Sequence, residues 1–281
     1  MGYLRCLLWI AGALSAGPAA AQGANPLIGL INAYRNAPQD CEGRRSAAAG
    51  PLAPDRRLDG VNAGSGAQLP KALKARGYPA AKAYAMTLSG PVNAAAAMNL
   101  LRQRYCGPLL NPQYSNVGVS REGNHWQVVL ARPLLSPALG DWRQAGQEVL
   151  RLTNAARRQP RICGTRRFDA APPLRWAGEL GAAALLHSRD MATRNYFDHR
   201  APDGSHADAR ARRQGYDWRR VGENIAAGQG SPQQVVAAWL ASPPHCENIM
   251  KPEFADLGAA YAVDERSDST IYWTQVFGTR R

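Results

Sequence analysis

Three side chains able to bind a divalent metal or move protons stand in the C-terminal half of the chain. They are His199 in Tyr196-Phe197-Asp198-His199, Glu223 in Glu223-Asn224-Ile225-Ala226, and His245 in Ser242-Pro243-Pro244-His245-Cys246. Each stretch reads as a punctuated turn beside a helix-like run. Two neutral imidazoles and a carboxylate can hold Zn²⁺ or another divalent ion with one position open for water, which could then hydrolyse a bond. The same groups can instead form a carboxylate–imidazole hydrogen bond that ties loops together and stabilises the charged imidazole. The three lie far apart in sequence, without an HExxH helix. No serine or cysteine is placed as a nucleophile beside a base.

The elements around them follow from periodicity. Residues 148–158 put Val149, Leu152 and Ala156 at helical spacing. Residues 179–194 align Leu180, Ala184, His187 and Met191 on one stripe, which makes His187 an inward-facing, packed histidine. Ser231-Pro232 is a helix start, a capping hydroxyl followed by proline in the first turn, and Pro243-Pro244 is expected to stop that helix. Residues 257–263 and 270–277 read as strands joined by the polar stretch 264–269. Helices and an antiparallel sheet in one small unit indicate an α+β fold, layered as α-β-α.

An internal similarity organises the whole chain. Ile31-Asn32-Ala33-Tyr34-Arg35 is matched by Thr153-Asn154-Ala155-Ala156-Arg157, Cys41 by Cys163, and Arg76-Gly77-Tyr78 by Gln214-Gly215-Tyr216. Cys106 before Asn111-Pro112 is matched by Cys246 before Lys251-Pro252. His125-Trp126 stands where Tyr272-Trp273 stands later. The order never changes. This reads as a tandem duplication: a degenerate copy over 22–135, a linker over 136–146 and a complete copy over 147–281. The first copy has too few residues between Leu58 and Gly77 to hold a counterpart of the His199 segment. It has no Glu-Asn pair near residues 83–86, and Tyr105 precedes its Cys106. It is expected to serve packing or binding.

Residues 1–21 carry Arg5, a short apolar run and Pro18-Ala19-Ala20-Ala21. That is the pattern of a secretory signal peptide, and it implies a periplasmic or secreted protein. No other segment is apolar enough to span a bilayer. Four cysteines remain beyond it, an even number that suits two disulfides with three possible pairings. The repeat favours Cys41 with Cys106 and Cys163 with Cys246. Loops of that length are worth roughly 4 kcal/mol each in the chain-entropy model. The net charge of +13 is mostly arginine. It reads first as solvated surface charge and alternatively as suited to adherence to anionic envelope polymers or headgroups, while the scattered arginines and the lack of a stacking platform argue against nucleic acid.

The C-terminal copy resembles the CAP superfamily (SCP-like; cysteine-rich secretory and plant pathogenesis-related proteins), and most of all its exported bacterial branch. The motifs are Asn154-x-x-Arg157, Tyr196-Phe197-Asp198-His199, Gly215-Tyr216, Gly222-Glu223-Asn224-Ile225-Ala226, Trp239-x-x-Ser242-Pro243-x-His245 and Tyr272-Trp273-Thr274-Gln275-Val276-Phe277. The resemblance implies an α-β-α sandwich, an extracytoplasmic location and a cleft holding histidines and acids. By resemblance His199 takes the first histidine position and Glu223 the first acid. Tyr272 stands where the eukaryotic branch has its second histidine, and the second acid is absent. His199, Glu223 and His245 are therefore the expected cleft and metal residues, with Tyr272 as a hydrogen-bonding neighbour and Asn224 beside them. The expected function is a non-enzymatic binding module for a small apolar, lipid or envelope ligand. A divalent-metal-dependent hydrolase of envelope peptides is the alternative.

Overall fold

A computed structural model describes residues 25–61, 68–135 and 139–281. The expected signal peptide and the first three residues of the expected linker lie outside these residues. The chain runs through helix α1 (Pro26–Arg35), hairpin β1 (Gln39–Cys41)–β2 (Arg44–Ser46), the short strand β3 (Ala53–Pro54) and a 3-10 turn at Arg56–Leu58. Next come α2 (Leu69–Ala75), β4 (Ala80–Ser89), α3 (Ala94–Leu110), β5 (Asn116–Glu122) and β6 (His125–Pro133). The second half has α4 (Trp142–Arg157), hairpin β7 (Arg161–Cys163)–β8 (Arg166–Phe168), β9 (Arg175–Trp176), α5 (Gly178–Arg194) and α6 (Ala207–Arg213). It ends with β10 (Trp218–Ala227), α7 (Pro232–Leu240), α8 (Pro243–Met250), β11 (Asp256–Val263) and β12 (Ile271–Arg280).

Each half builds one four-stranded sheet, in the orders β3-β5-β6-β4 and β9-β11-β12-β10. In both, the short first strand pairs parallel and the remaining pairs are antiparallel. The registers correspond: Gly118 pairs with Val129 and Ala85 with Val129 in the first sheet, as Gly258 pairs with Val276 and Glu223 with Val276 in the second.

The second sheet is the centre of an α-β-α sandwich. Alternation along β11 sends Leu257 and Ala259 into a core with Val149, Trp239, Ile249, Trp273 and Phe277, under α4, α7 and α8. The opposite face sends Ala260 and Val276 against Leu180 and Ala184 of α5 and Ala211 of α6. Gly258 permits α5 to lie directly on the sheet, because a Cβ there would meet Gly181 N at 2.0 Å. The two large indoles bury with their N–H groups satisfied, Trp239 by the Ile225 carbonyl at 3.1 Å and Trp273 by the Gln229 carbonyl at 2.8 Å. The first half has the same inner core, with Leu27, Ile31, Leu101, Val117 and Val128. Among the described residues its other face carries α2 and the 3-10 turn, and no helix there corresponds to α5.

Both halves are fastened by the same clasp. Asn32 and Asn154 each exchange two hydrogen bonds with the backbone of Leu52 and Leu174, at 2.8–3.0 Å. Arg35 and Arg157, both fully buried, donate only to carbonyls: Ala49, Gly50, Leu109, Asn111 and Tyr114 in one half, Pro172, Ile249, Lys251 and Phe254 in the other. Burial lowers their pKa to about 9 and about 10, so both guanidinium groups stay charged at neutral pH. The disulfides join Cys41 to Cys106 and Cys163 to Cys246, the pairing the repeat favours.

Two expectations about local structure need correction. Glu223 is not in a turn: β10 carries it at the sheet edge, its polar residues and Gly222 having hidden a strand. Pro243-Pro244 does not simply end a helix. With Ser242 as cap it opens a second one, α8, and so places His245 in a first helical turn.

Candidate functional site

Two features of α5 deliver His199. Its stripe buries Leu180, Ala184, His187 and Met191, and Asn195 then takes a left-handed conformation (φ 51°) that ends the helix and turns the chain into Tyr196–His199. Phe197 packs with Met191, Ile225 and Tyr272. It also meets the first half, since a Cβ on Gly50 (φ 74°) would stand 3.0 Å from its ring.

Glu223 is the hub. Its side chain is only 4% exposed, on the sheet face that carries α5 and α6. One oxygen accepts from Arg210 Nη2 at 2.6 Å, the other from His199 Nδ1 at 2.8 Å. His187 Nε2 lies 3.9 Å from that second oxygen and 2.9 Å from the Asp198 carbonyl. Burial alone would raise the Glu223 pKa. The hydrogen bond from His199 and the charges of His187 and Arg210 outweigh it and hold the carboxyl below its usual value. Arg210 also donates to the carbonyls of His199 and Ser205, so one guanidinium fixes both the carboxylate and the loop that presents the imidazole. The His199 side chain is 49% exposed. With Nδ1 committed to Glu223, Nε2 is the ring nitrogen left for another partner.

His245 sits differently. It is buried, its Nδ1 lies 2.8 Å from the Ser242 hydroxyl, and burial together with the His199 charge lowers its pKa to about 3, so it is neutral. The expected trio is thus only partly assembled. His199 and Glu223 bond directly, whereas His199, Glu223 and His245 do not form a set with all donor atoms within 4.8 Å of one another. Among the described residues the one such set is Cys41, Glu42 and Cys106, whose two sulfurs are the disulfide. In this arrangement the expected metal ligands do not converge on one point, and each Glu223 oxygen already accepts a hydrogen bond.

Two further expectations change. Asn224 is not a cleft residue. Strand alternation turns it to the opposite face from Glu223, where it is fully buried, donates to the His245 carbonyl at 3.2 Å and to Gln275 at 3.1 Å, and accepts from Asn248 at 3.1 Å. Gln275 continues the chain to Thr153 at 2.9 Å. Asn224 thereby positions α8 against the sheet. Tyr272 is buried and its hydroxyl reaches Asn195 at 3.4 Å, with no hydrogen bond to His199 or Glu223. It supports the end of α5 rather than the imidazole. Sequence reasoning missed Arg210. The signal was an arginine on the inward stripe of α6 beside Ala211, a position normally apolar.

Residues 150–277 match the model of the cysteine-rich secretory protein (CAP) family. The chain is 34% identical over 131 residues to the uncharacterized protein YkwD of Bacillus subtilis, covering 47% of this chain and 46% of that protein. It is 27% identical over 159 residues to the uncharacterized membrane protein YlbC of the same organism, covering 54% and 41%. The match therefore spans less than half the length of either relative. An extracellular protein containing an SCP domain from Bacillus anthracis superposes with a TM-score of 0.42 at 24% identity, covering 57% of this chain and 53% of that one. Residues 150–277, somewhat under half of this chain, are thus similar to the cysteine-rich secretory protein (CAP) family.

Proposed function

We propose that the protein is an extracytoplasmic binding module, periplasmic or secreted, made of a degenerate CAP-like copy (22–135) and a CAP domain (147–281). It captures a lipid or envelope ligand at a cleft where His199 is the exposed polar contact. The observation that carries this reading is the state of Glu223: buried, and with both oxygens occupied by Arg210 and His199. A carboxylate so engaged is a scaffold for an imidazole, poorly suited to act as a general base or as an open metal ligand. The alternative, a metal-dependent hydrolase of envelope peptides, needs that carboxylate or His245 to be free.

The export pattern in residues 1–21 and two disulfides support the location. Among the described residues no helix is long and apolar enough to cross a membrane. The net charge of +13 favours anionic surfaces.

Co-sedimentation with phosphatidylglycerol vesicles and with purified cell-wall sacculi tests the reading. Binding to one of these is expected to survive EDTA and to weaken in His199→Ala at unchanged thermal stability. Release of soluble peptides from sacculi, abolished by EDTA and restored by Zn²⁺, would establish the hydrolase instead.

A further inference from the structure

A cavity of about 450 Å³ lies between the two halves, lined by Ile28, Asp59 and Val117 from the first and by Arg161 and Leu240 from the second. We propose that it binds a small zwitterion with an apolar side chain, a free amino acid or a dipeptide, whose carboxylate bonds the Arg161 guanidinium and whose ammonium pairs with Asp59.

The other enclosed arginines are committed. Arg35 and Arg157 donate to carbonyls, and Arg210 holds Glu223. Arg161 is enclosed far enough for burial to lower its pKa. Yet among the described residues it makes no hydrogen bond and no ion pair. Withdrawing a charge from water without giving it a partner is costly. Its Nε is shut in, whereas Nη1 and Nη2 are not. Those two are the groups an occupant can reach, and their parallel N–H bonds match the two oxygens of a carboxylate.

Asp59 has the complementary need. Its Oδ1 accepts from the Val119 N–H at 2.9 Å, while Oδ2 is neither enclosed nor bonded among the described residues. Burial raises its pKa, outweighing that hydrogen bond and the charges of Arg76 and Arg56. Asp55, on the same lining, is not available, because both of its oxygens accept from Arg57.

Arg161 and Asp59 thus share one cavity without pairing with each other. A phosphate would satisfy the guanidinium and repel the carboxylate, and a metal cation would do the reverse. A zwitterion satisfies both. Between the charges, Ile28, Val117 and Leu240 offer an apolar wall for an aliphatic side chain. The volume falls within the roughly 300–1,000 Å³ of ordinary ligand pockets, which gather at junctions between domains. His199 does not line this cavity. Neither half builds the site alone, which gives the first copy a role in binding.

Isothermal titration of the full chain with leucine and with alanyl-leucine tests the proposal and separates the two sources. Saturable binding of at least one is expected. The better of the two should bind at least tenfold more weakly once its amine is acetylated or its carboxylate amidated. Arg161→Met unpairs nothing in the protein, so its unfolding midpoint should not fall, while binding weakens at least tenfold. Asp59→Asn keeps the acceptor for Val119 and should bind the acetylated and free forms alike. His199→Ala should bind as the wild type does, which keeps the outcome independent of the cleft reading. No saturable binding of either compound, leaving solvent as the occupant, overturns the proposal. So does undiminished binding by Arg161→Met, or tighter binding of inorganic phosphate than of both compounds. A lowered midpoint in Arg161→Met would overturn it too, by showing that the guanidinium already has a structural partner.

Discussion

The two halves share a frame and differ in what is mounted on it. Each has the Asn–Arg clasp, a disulfide from its small hairpin to the helical segment before its next long strand (Cys106 in α3 after β4, Cys246 in α8 after β10), and a sheet of the same order. At equivalent register the first half has Ala85 and the second Glu223, the first Met86 and the second Asn224. Where the second half runs a polar chain from Asn224 through Gln275 to Thr153, the first packs Met86, Val128 and Ile31. Gly118 and Gly258 both let another element lie on the sheet, but Gly118 admits Leu58 of a 3-10 turn and Gly258 admits α5. The frame needs neither the histidines nor the acid. The site appears only where α5 and its following loop bring His187 and His199 to the edge strand.

The clasps should give the largest effect. Arg35→Met and Arg157→Met each strand several buried carbonyls, at about 1–3 kcal/mol per group. Each is expected to cost 4 kcal/mol or more in denaturant unfolding, with no rescue by lysine, whose single ammonium cannot span the carbonyls. A loss confined to one of the two would break the equivalence of the frames.

Glu223→Ala, which gives the second half the residue of the first, leaves Arg210 buried without its partner and is expected to cost roughly 3–5 kcal/mol. Ala85→Gly in the first half should cost about 1 kcal/mol. If chemical denaturation shows the two to be similar, Glu223 is not the hub described.

Asn224→Met is expected to cost about 2 kcal/mol by unpairing Gln275 and Asn248. The triple variant Asn224→Met/Gln275→Val/Thr153→Ile, which copies the first half, should recover most of that. Additive losses would show that the two interiors are not interchangeable.

Loss of stability through buried histidines on acidification is expected only in the second half. His187 and His245 have pKa values lowered by burial, so the unfolded chain binds more protons than the folded one below the usual histidine value. Stability is therefore full at neutral pH and falls by up to about 1.4 kcal/mol per pH unit per group as pH drops below about 6.5, continuing to about 3 for His245. The lowered Glu223 pKa acts at the acid end: its stabilisation is present above the ordinary carboxyl range and is lost as pH falls through the folded value. Urea unfolding monitored by NMR signals from each half checks this. Equal acid sensitivity of the first half would contradict it.

Much of this frame was legible in the sequence. The helical stripe of α5, the Ser231-Pro232 start of α7, the two disulfides and the pairing of residues 257–263 with 270–277 all follow local rules of periodicity, capping and cysteine count. β10 escaped because its exposed first half is polar and its inward acid is neutralised by Arg210, a partner from another element. Periodicity sees which side chains point inward; it cannot see which buried charge meets which. Hence Glu223 and His199 were legible as a pair, while Arg210 was not, and Asn224 was placed in the cleft although strand alternation turns it away.

The central claim is that Glu223 holds His199 by Nδ1 and so leaves Nε2 for a ligand. Long-range ¹⁵N–¹H spectra of the imidazoles above pH 8 test it most directly. His199 is predicted to be the Nδ1–H tautomer in the wild type and to shift toward Nε2–H in Glu223→Ala. A wild-type His199 protonated on Nε2, or a tautomer indifferent to the Glu223 substitution, would contradict the account.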